Sequence, residues 1–367
     1  MGYGATMSTP ARPNLLGLLP EDLAPLLPIE ADPVQALGVA RRVLAHLISF
    51  GHPDLHSMKR PPKLKVLRWL EANTTWERLE VVERVPDSVD HSVRYLFRHA
   101  DGALTEAVCI PLERPNRYSV CLSSQAGCAM QCAFCATGRL GLTRHLKAWE
   151  MVAAWLTVRD ELPAGSRVSG AVFMGQGEPL HNYDAVLQAA HVLREPCGGR
   201  ISGKAISIST VGLVPRIHQY AKEGHPFRLV VSLTSADPDK RKALLPVAGK
   251  WSLEELADAL RAYHQSCGSR VTIAWVLMSG INTGADEAER IRDLLGDIPL
   301  RVNLIDVNGS ADPTGRFFPA PDAERDAFFD ALQILGAPVV RRYSVGRSES
   351  SACGMLAAQR TSEAAAP

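Results

Sequence analysis

Strand and helix patterns alternate along the C-terminal two thirds of the chain. Six runs there are rich in β-forming residues: SGAVFMG, KAISIST, FRLVVSLT, RVTIAWVLM, PLRVNLIDV and APVVRRYS. Helical stretches separate them: AWEMVAAWLTVRDEL, YDAVLQAAHVLRE, LEELADALRAYHQSC, ADEAERIRDLL and AERDAFFDALQIL. The alternation predicts an α/β fold with parallel strands, and six strands fit a partial (β/α) barrel better than a complete eight-fold one. In such folds the chemistry lies where strands end and loops begin.

The N-terminal third shows two other patterns. Residues 14–75 have apolar positions three to four apart and predict a helical accessory domain. Residues 76–125 alternate between apolar and polar residues and predict a small β-rich connecting unit, with Asp101 and Gly102 in a hairpin turn. We expect the barrel core over residues 126–358, a disordered lead over 1–13 and a frayed tail over 359–367.

Composition limits the class of protein and its surroundings. The chain has 367 residues, 46% of them hydrophobic and 22% charged, as is usual for globular proteins. Since no apolar run reaches the roughly 18 residues of a membrane span, we expect a cytoplasmic monomer without membrane contact. The net charge of +1 neither requires nor excludes a nucleic-acid partner. One basic segment is either an RNA contact or a solvated helix face: His56, Lys59, Arg60, Lys63, Lys65 and Arg68.

The eight cysteines favour metal or redox chemistry over a disulfide framework. Cys128, Cys132 and Cys135 are separated by three and then two residues, and thiolates are the preferred ligands of iron–sulfur clusters. Three thiolates leave one iron of a 4Fe–4S cluster without a protein ligand, as a substrate-binding cluster requires. The alternative is a zinc site, which normally needs four ligands. Cys121 could be the fourth, although its separation from Cys128 would be unusual.

The segment CAMQCAFCATG resembles the signature of radical S-adenosylmethionine (SAM) enzymes. More narrowly, it resembles the RlmN/Cfr-type RNA methyltransferases, which methylate an adenosine base at carbon 2 or carbon 8. Further blocks follow the family order over nearly the whole chain: EAVCIPLERPNRYSVCLSSQAGC, FMGQGEPL, ISISTVGLVP, LVVSLTSADPDKRKALLPV, RVNLI and SSACGML. The resemblance implies a radical-SAM partial barrel, a 4Fe–4S cluster and SAM as cofactors, an rRNA or tRNA substrate, and an electron donor such as flavodoxin or ferredoxin.

The resemblance also implies roles for three side chains outside the cysteine triplet. Cys353 would accept a methyl group from one SAM, and a 5'-deoxyadenosyl radical from a second SAM would take a hydrogen from that methyl group. The carbon radical would add to the adenine ring, and Glu106 would remove the ring proton. Cys121 would then attack the sulfur of Cys353, which releases the methylated RNA and leaves a disulfide.

Six residues match the cofactor contacts of the family: Gly177, Glu178, Ser209, Ser232, Thr234 and Asn303. Several positions differ from the family pattern. Thr234 replaces a histidine and Gln176 replaces a methionine, and the segments NLIDVNG, SVGRSESSACGML and RVTIAWVLMSGIN also depart from it. The leading hypothesis is methylation of carbon 2 of an adenosine in 23S rRNA and/or tRNA. Two alternatives stay open: the same chemistry on another RNA position or on a non-RNA substrate, and an RNA-binding or iron-sensing protein with a structural cluster.

Overall fold

The computed structural model describes residues 12–29, 32–307 and 315–342. Within these ranges, one sheet contains ten strands in the order β1-β2-β3-β4-β7-β8-β9-β10-β11-β12, and β5 pairs with β6 in a second sheet. The strands are β1 Glu80–Pro86, β2 Val93–Arg98, β3 Leu104–Pro111, β4 Arg117–Leu122, β5 Gln125–Gly127, β6 Leu142–His145, β7 Arg167–Phe173, β8 Ile206–Thr210, β9 Arg228–Ser232, β10 Val271–Leu277, β11 Leu300–Asp306 and β12 Val339–Arg342.

The helices follow the βα pattern of the sequence. They are α1 Pro20–Leu23, α2 Pro33–Leu44, α3 Leu64–Asn73, α4 Ala136–Arg139, α5 Ala148–Asp160, α6 Tyr183–Arg194, α7 Val214–Glu223, α8 Pro238–Leu244, α9 Leu253–Cys267, α10 Ala285–Leu295 and α11 Asp322–Ala331. None of the helices in the described ranges is long and apolar enough to cross a membrane.

The large sheet has an antiparallel part and a parallel part. Strands β1 to β4 form an antiparallel meander. The six predicted strands are confirmed as β7 to β12, and β4 joins them in parallel beside β7. The predicted connecting unit is therefore continuous with the core sheet. Because β1 and β12 lie at opposite ends of the strand order, the sheet is open, which agrees with a partial barrel.

Alternate residues of the parallel strands point to opposite faces of the sheet. One set joins the buried side chains of α5, α6, α7 and α9 in the main hydrophobic core: Ile206 and Ile208, Leu229 and Val231, Ile273 and Trp275, Val302 and Leu304. The intervening residues include Ser209, Ser232, Thr272 and Asn303. We call this second side, which α5, α6, α7 and α9 do not cover, the polar face. An apolar core on one side thus leaves the other side available for a site.

The predicted N-terminal helices form and pack on the βα core. Buried residues of α2 and α3, among them Val43 and Leu67, belong to the same hydrophobic core as α5 and α6. Gly17 lies against the start of α5, where a Cβ atom would come within 2.8 Å of the Trp149 nitrogen. The Gln188 side chain of α6 donates a hydrogen bond to the Gly17 carbonyl at 3.1 Å. These contacts fix the helical segment on the outer layer of the core.

Candidate active site

The three predicted cluster ligands lie in a loop between β5 and α4. The Cys128 N–H donates to the Gly141 carbonyl at 2.8 Å, and the Ala133 N–H donates to Leu244 of α8 at 2.9 Å. Gly127 has a φ of +72°, and a Cβ atom there would lie 2.0 Å from the Gly141 oxygen. Only glycine permits both the conformation and this close approach. The loop is therefore held at both ends by backbone contacts.

The three thiols lie close enough to affect one another. Cys128 is buried and the other two are half-buried. Burial raises the pKa of Cys128 to about 12, and the nearby Cys135 and Glu178 contribute to the shift. Burial, followed by Cys135 and Cys128, also raises the pKa of Cys132. The ionised forms of Cys128 and Cys132 are disfavoured, so these thiols need a strongly positive centre to become thiolates, and iron supplies such a centre.

No three His, Cys, Asp or Glu side chains in the described ranges are arranged to hold one metal ion. The zinc alternative therefore finds no site in this part of the chain. A cubane places a different demand on the loop, because each thiolate binds its own iron and the three sulfurs need not converge on one atom.

An apolar cluster covers the cysteine loop. Leu244, Leu245, Met278, Val307 and Phe317 form this cluster, and Cys132, Ala133 and Phe134 pack against it. The rings of Phe134 and Phe317 meet edge to face with centroids 6.5 Å apart. Such a cover lowers the local dielectric constant and limits the access of water to the loop.

Arg241 is a buried cation beside this loop. Its guanidinium donates hydrogen bonds to the carbonyl groups of Val211 at 2.7 Å, Ser232 at 3.0 Å and Leu233. Burial lowers the pKa of Arg241 to about 10, and the neighbouring Cys132 thiol acts in the opposite direction. No carboxylate forms an ion pair with Arg241 among the described residues. The side chain thus joins the ends of β8 and β9 and places a positive charge near the thiols.

The loop after β7 contains the predicted contacts Gly177 and Glu178. The Gln176 carbonyl accepts hydrogen bonds from Ser124 at 2.7 Å and Gln125 at 3.2 Å, which ties this loop to the start of β5. Gly177 has a φ of +99°, and a Cβ atom there would lie 2.6 Å from the Cβ of Gln125. The cofactor loop and the cysteine loop are therefore built on the same short strand.

Glu178 is a buried carboxylate between two strand ends. It accepts hydrogen bonds from the backbone N–H groups of Leu180 and Val211, each at 2.9 Å. Burial nevertheless raises the pKa of Glu178 to about 7. A carboxylate in this condition gains from an incoming ammonium group, because the opposite charge restores its ionised form.

The strand register brings the other predicted residues to the polar face. Cys121 in β4 lies opposite Val108 in β3, and Glu106 is two residues before Val108, so both side chains point to the same side. Ser232 lies opposite Ala274, which lies opposite Asn303 on the next strand. Ser209 lies opposite Val230, two residues before Ser232. The sheet thus gathers five residues that are far apart in the sequence.

Several buried polar atoms of this site have no hydrogen-bond partner among the described residues. They are Oγ1 of Thr234, Oδ1 of Asn303, and both amide atoms of Gln176. Thr234 also has a φ of +60°, which is uncommon for a β-branched residue. Buried polar groups without partners destabilise a fold, so their presence on the polar face and in the loops that follow its strands indicates a polar ligand. SAM, with its carboxylate, ammonium, ribose and adenine groups, fits this requirement.

Comparisons with known proteins agree with a SAM site. Residues 122–295 match the Radical SAM superfamily. The chain is 50% identical to a probable RNA methyltransferase from Anaeromyxobacter sp. (strain Fw109-5), over 88% of this chain and 94% of that protein. It is 35% identical to a probable dual-specificity RNA methyltransferase RlmN from Symbiobacterium thermophilum, over 94% of this chain and 91% of that protein.

A crystal structure of a radical SAM methyltransferase from Sphaerobacter thermophilus has the same fold. The TM-score is 0.83 at 33% sequence identity, over 94% of this chain and 98% of that chain. The chain belongs to the RlmN-type family of radical SAM RNA methyltransferases. The predicted family, the α/β fold class and the assignment as a methyltransferase are confirmed.

As a radical SAM methyltransferase, the enzyme uses SAM and an iron–sulfur cluster. The residues that would hold the cluster are Cys128, Cys132 and Cys135, and the polar atoms at the strand ends would hold SAM. Cys353 lies outside the described residues, so its proximity to Cys121 stays a prediction. Sequence reasoning missed the roles of Gln125 and Arg241. Both lie inside the family blocks, but neither belongs to a metal-ligand or catalytic pattern.

Proposed function

We propose that this methyltransferase modifies a ring carbon of adenosine in RNA, carbon 2 in 23S rRNA and/or tRNA, through a methylated Cys353. The observation that supports the proposal best is the shared polar face of Cys121 and Glu106. In this mechanism the resolving thiol must reach the sulfur bonded to the bound base, and the proton-accepting carboxylate must reach the base itself. Cys121 and Glu106 lie on one side of β3 and β4, the polar face that also carries Ser209, Ser232 and Asn303.

In this proposal each side chain has a distinct task. When bound, SAM and the reduced cluster would supply the 5'-deoxyadenosyl radical that takes hydrogen from the methyl group on Cys353. The resulting carbon radical forms a bond with the adenine ring, Glu106 takes the proton that the ring carbon loses, and the surplus electron would return to the oxidised cluster. The Cys121 thiolate attacks the sulfur of Cys353, so the sulfur–carbon bond breaks, a sulfur–sulfur bond forms, and the released carbon takes up a proton to become the methyl group. A reductant must then restore both thiols, and a small electron-transfer protein such as flavodoxin or ferredoxin is the proposed electron donor.

The residues around the cysteine loop and on the face of Glu106 support this chemistry. The apolar cluster around Phe134 and Phe317 limits water near the cysteine loop. Arg94 is buried on β2 opposite Val108, on the same face as Glu106. The polar face thus carries a buried cation as well as the proposed base.

Cysteine variants of the full-length, cluster-loaded enzyme test the proposal. Cys353→Ala should abolish RNA methylation, measured by mass spectrometry of digested RNA. Cys121→Ala should still form the bond between protein and RNA but should not release it, so a covalent complex should accumulate on denaturing gels. Cys109→Ala is the matched control, because Cys109 is a buried thiol of β3 that faces the hydrophobic core.

Wild-type methylation by Cys353→Ala, or by Cys121→Ala without a trapped complex, would show that the two-cysteine mechanism is wrong. A distinct outcome would indicate a non-RNA substrate: the wild type produces 5'-deoxyadenosine but methylates neither rRNA nor tRNA. The replacement of the usual histidine and methionine by Thr234 and Gln176 is the observation that favours this second candidate.

A further inference from the structure

Four exposed basic side chains come together beside the cofactor loop. His145 ends β6, and His181 follows β7 by a short turn. Arg216 lies in the first turn of α7, after β8, and Lys250 follows the turn after α8. Because β7 and β8 are parallel neighbours, the segments after them lie at the same edge of the sheet. We call His145, His181, Arg216 and Lys250 the basic rim.

Buried Gln125 fixes the orientation of both histidine rings. Its Oε1 accepts the N–H of Glu178 at 2.8 Å, so its Nε2 is the hydrogen-bond donor. This Nε2 lies 2.9 Å from Nδ1 of His145 and 3.3 Å from Nδ1 of His181. Each ring therefore accepts at Nδ1 and keeps Nε2–H on the side away from Gln125. The two rings meet edge to face with centroids 4.9 Å apart, which holds two outward donors side by side.

The basic rim lacks direct ion pairs in the described part of the chain, and a nearby carboxylate, Glu223, is already bonded to Tyr183 and Gln219. None of its four members forms an ion pair with a carboxylate there. Arg216 instead donates to the amide oxygen of Gln219 at 2.6 Å and lies over the ring of Tyr183, 5.2 Å from its centroid. Burial lowers the pKa of His181, and the neighbouring His145, Arg216 and Lys250 lower it further. Arg216 and Lys250 thus place two positive charges beside two neutral N–H donors, a combination that attracts polyanions.

We propose that the basic rim binds the phosphate backbone of the RNA substrate next to the target nucleotide. The inference rests on the proposed function and adds a docking surface to it. Phosphate contacts from Arg, Lys and N–H donors position an RNA without reading its sequence. Gln125 connects the histidines to the loop of Gly177 and Glu178, so a backbone held at the rim lies beside the predicted cofactor loop. The target base can then be swung out toward the polar face.

The test compares two double variants of the cluster-loaded enzyme that each remove two positive charges. Arg216→Gln/Lys250→Gln changes the rim. Lys204→Gln/Lys222→Gln is the matched control, because Lys204 lies just before β8 and Lys222 lies in the last turn of α7, at the opposite edge of the sheet. Binding of a fluorescein-labelled, unmodified tRNA transcript is measured by anisotropy over a range of KCl concentrations, and methylation is measured in parallel.

We expect the rim variant to bind the transcript about tenfold more weakly, with the slope of log affinity against log salt smaller by about 1.5. The control should stay close to the wild type, and both variants should form 5'-deoxyadenosine normally. Equal binding of the transcript by the rim variant and the control would contradict the proposed role of the basic rim. A wild type that binds no RNA would contradict it as well. If the wild type binds through the rim but methylates no RNA, the docking surface stands and the proposed function fails.

Discussion

At the scale of single residues, the site contains buried polar groups that destabilise the folded protein unless a ligand binds them. Glu178 is buried with a raised pKa, and the amide of Gln176 has no partner among the described residues. Each of these features costs stability in the cofactor-free protein. We infer that cofactor binding removes this destabilisation and that the gain is part of the binding free energy.

Glu178 gives a pH-dependent prediction for the cofactor-free protein. Its carboxyl has a pKa of about 7 when folded and an ordinary value of 4.5. Between these values the folded chain binds more protons than the unfolded chain, so this group makes stability fall as pH rises from 4.5 to about 7. Thermal unfolding of Glu178→Gln should lack this part of the pH dependence, which amounts to at most about 3 kcal/mol. Identical pH dependence in the wild type and the variant would contradict the prediction.

The sequence predicts the polar face well at the residue scale because strand alternation is a local property. Ser209, Ser232 and Asn303 lie on that face, as the motif positions imply. The roles of Gln125 and Arg241 could not be predicted in the same way. The role of Gln125 depends on how β5 packs against the loop after β7. The role of Arg241 depends on how α8 packs against the ends of β8 and β9. Both contacts join segments that are distant in the sequence.

At the scale of elements, short segments do most of the positioning. The three-residue strand β5 supports both the cysteine loop and the cofactor loop, and the seven-residue helix α8 provides Arg241 and the Leu244 carbonyl. The sequence patterns did not predict β5, β6, α4, α7 or α8. Segments as short as β5 and α8 have too few residues to show a period, and the run of Val211, Gly212 and Leu213 before α7 hides the start of that helix.

Arg241 gives a prediction at this scale, because it joins β8, β9 and the cysteine loop. Arg241→Met should remove the side-chain donor from the carbonyl groups of Val211 and Ser232, while the Leu233 carbonyl keeps the Ser235 N–H, and should leave the thiolates without a neighbouring cation. We expect a loss of about 3 kcal/mol in unfolding free energy and a clear loss of iron per chain after anaerobic reconstitution. Arg241→Lys should have an unfolding free energy and an iron content between those of Arg241→Met and the wild type, because it keeps the charge but not the planar set of donors.

The control for this prediction is Arg261→Met, which removes surface ion pairs with Asp297 and Asp258 and a hydrogen bond to the Leu294 carbonyl, far from the cysteine loop. Exposed pairs contribute little, so this variant should lose less than about 1 kcal/mol and should keep its iron. Iron content of Arg241→Met equal to that of the control would show that the buried cation does not support the cluster.

At the scale of the whole molecule, the open sheet explains how one chain can provide the residues for several steps of the proposed methylation. The hydrophobic core lies between the sheet and its helices, and the polar face carries the predicted cofactor contacts, Cys121 and Glu106. The sequence predicted this architecture because βα alternation is strong. It did not predict that β4 continues the parallel sheet, since parallel pairing with β7 depends on a partner about fifty residues away.

The central claim is that Cys353 accepts a methyl group, and intact-protein mass measurement tests it most directly. The enzyme is purified with its cluster after expression in cells and analysed whole, and the modified peptide is then located by fragmentation. The account predicts a fraction of chains heavier by one methyl group, located on Cys353 and absent from Cys353→Ala. No added methyl group in any chain, or one that persists in Cys353→Ala, would contradict it.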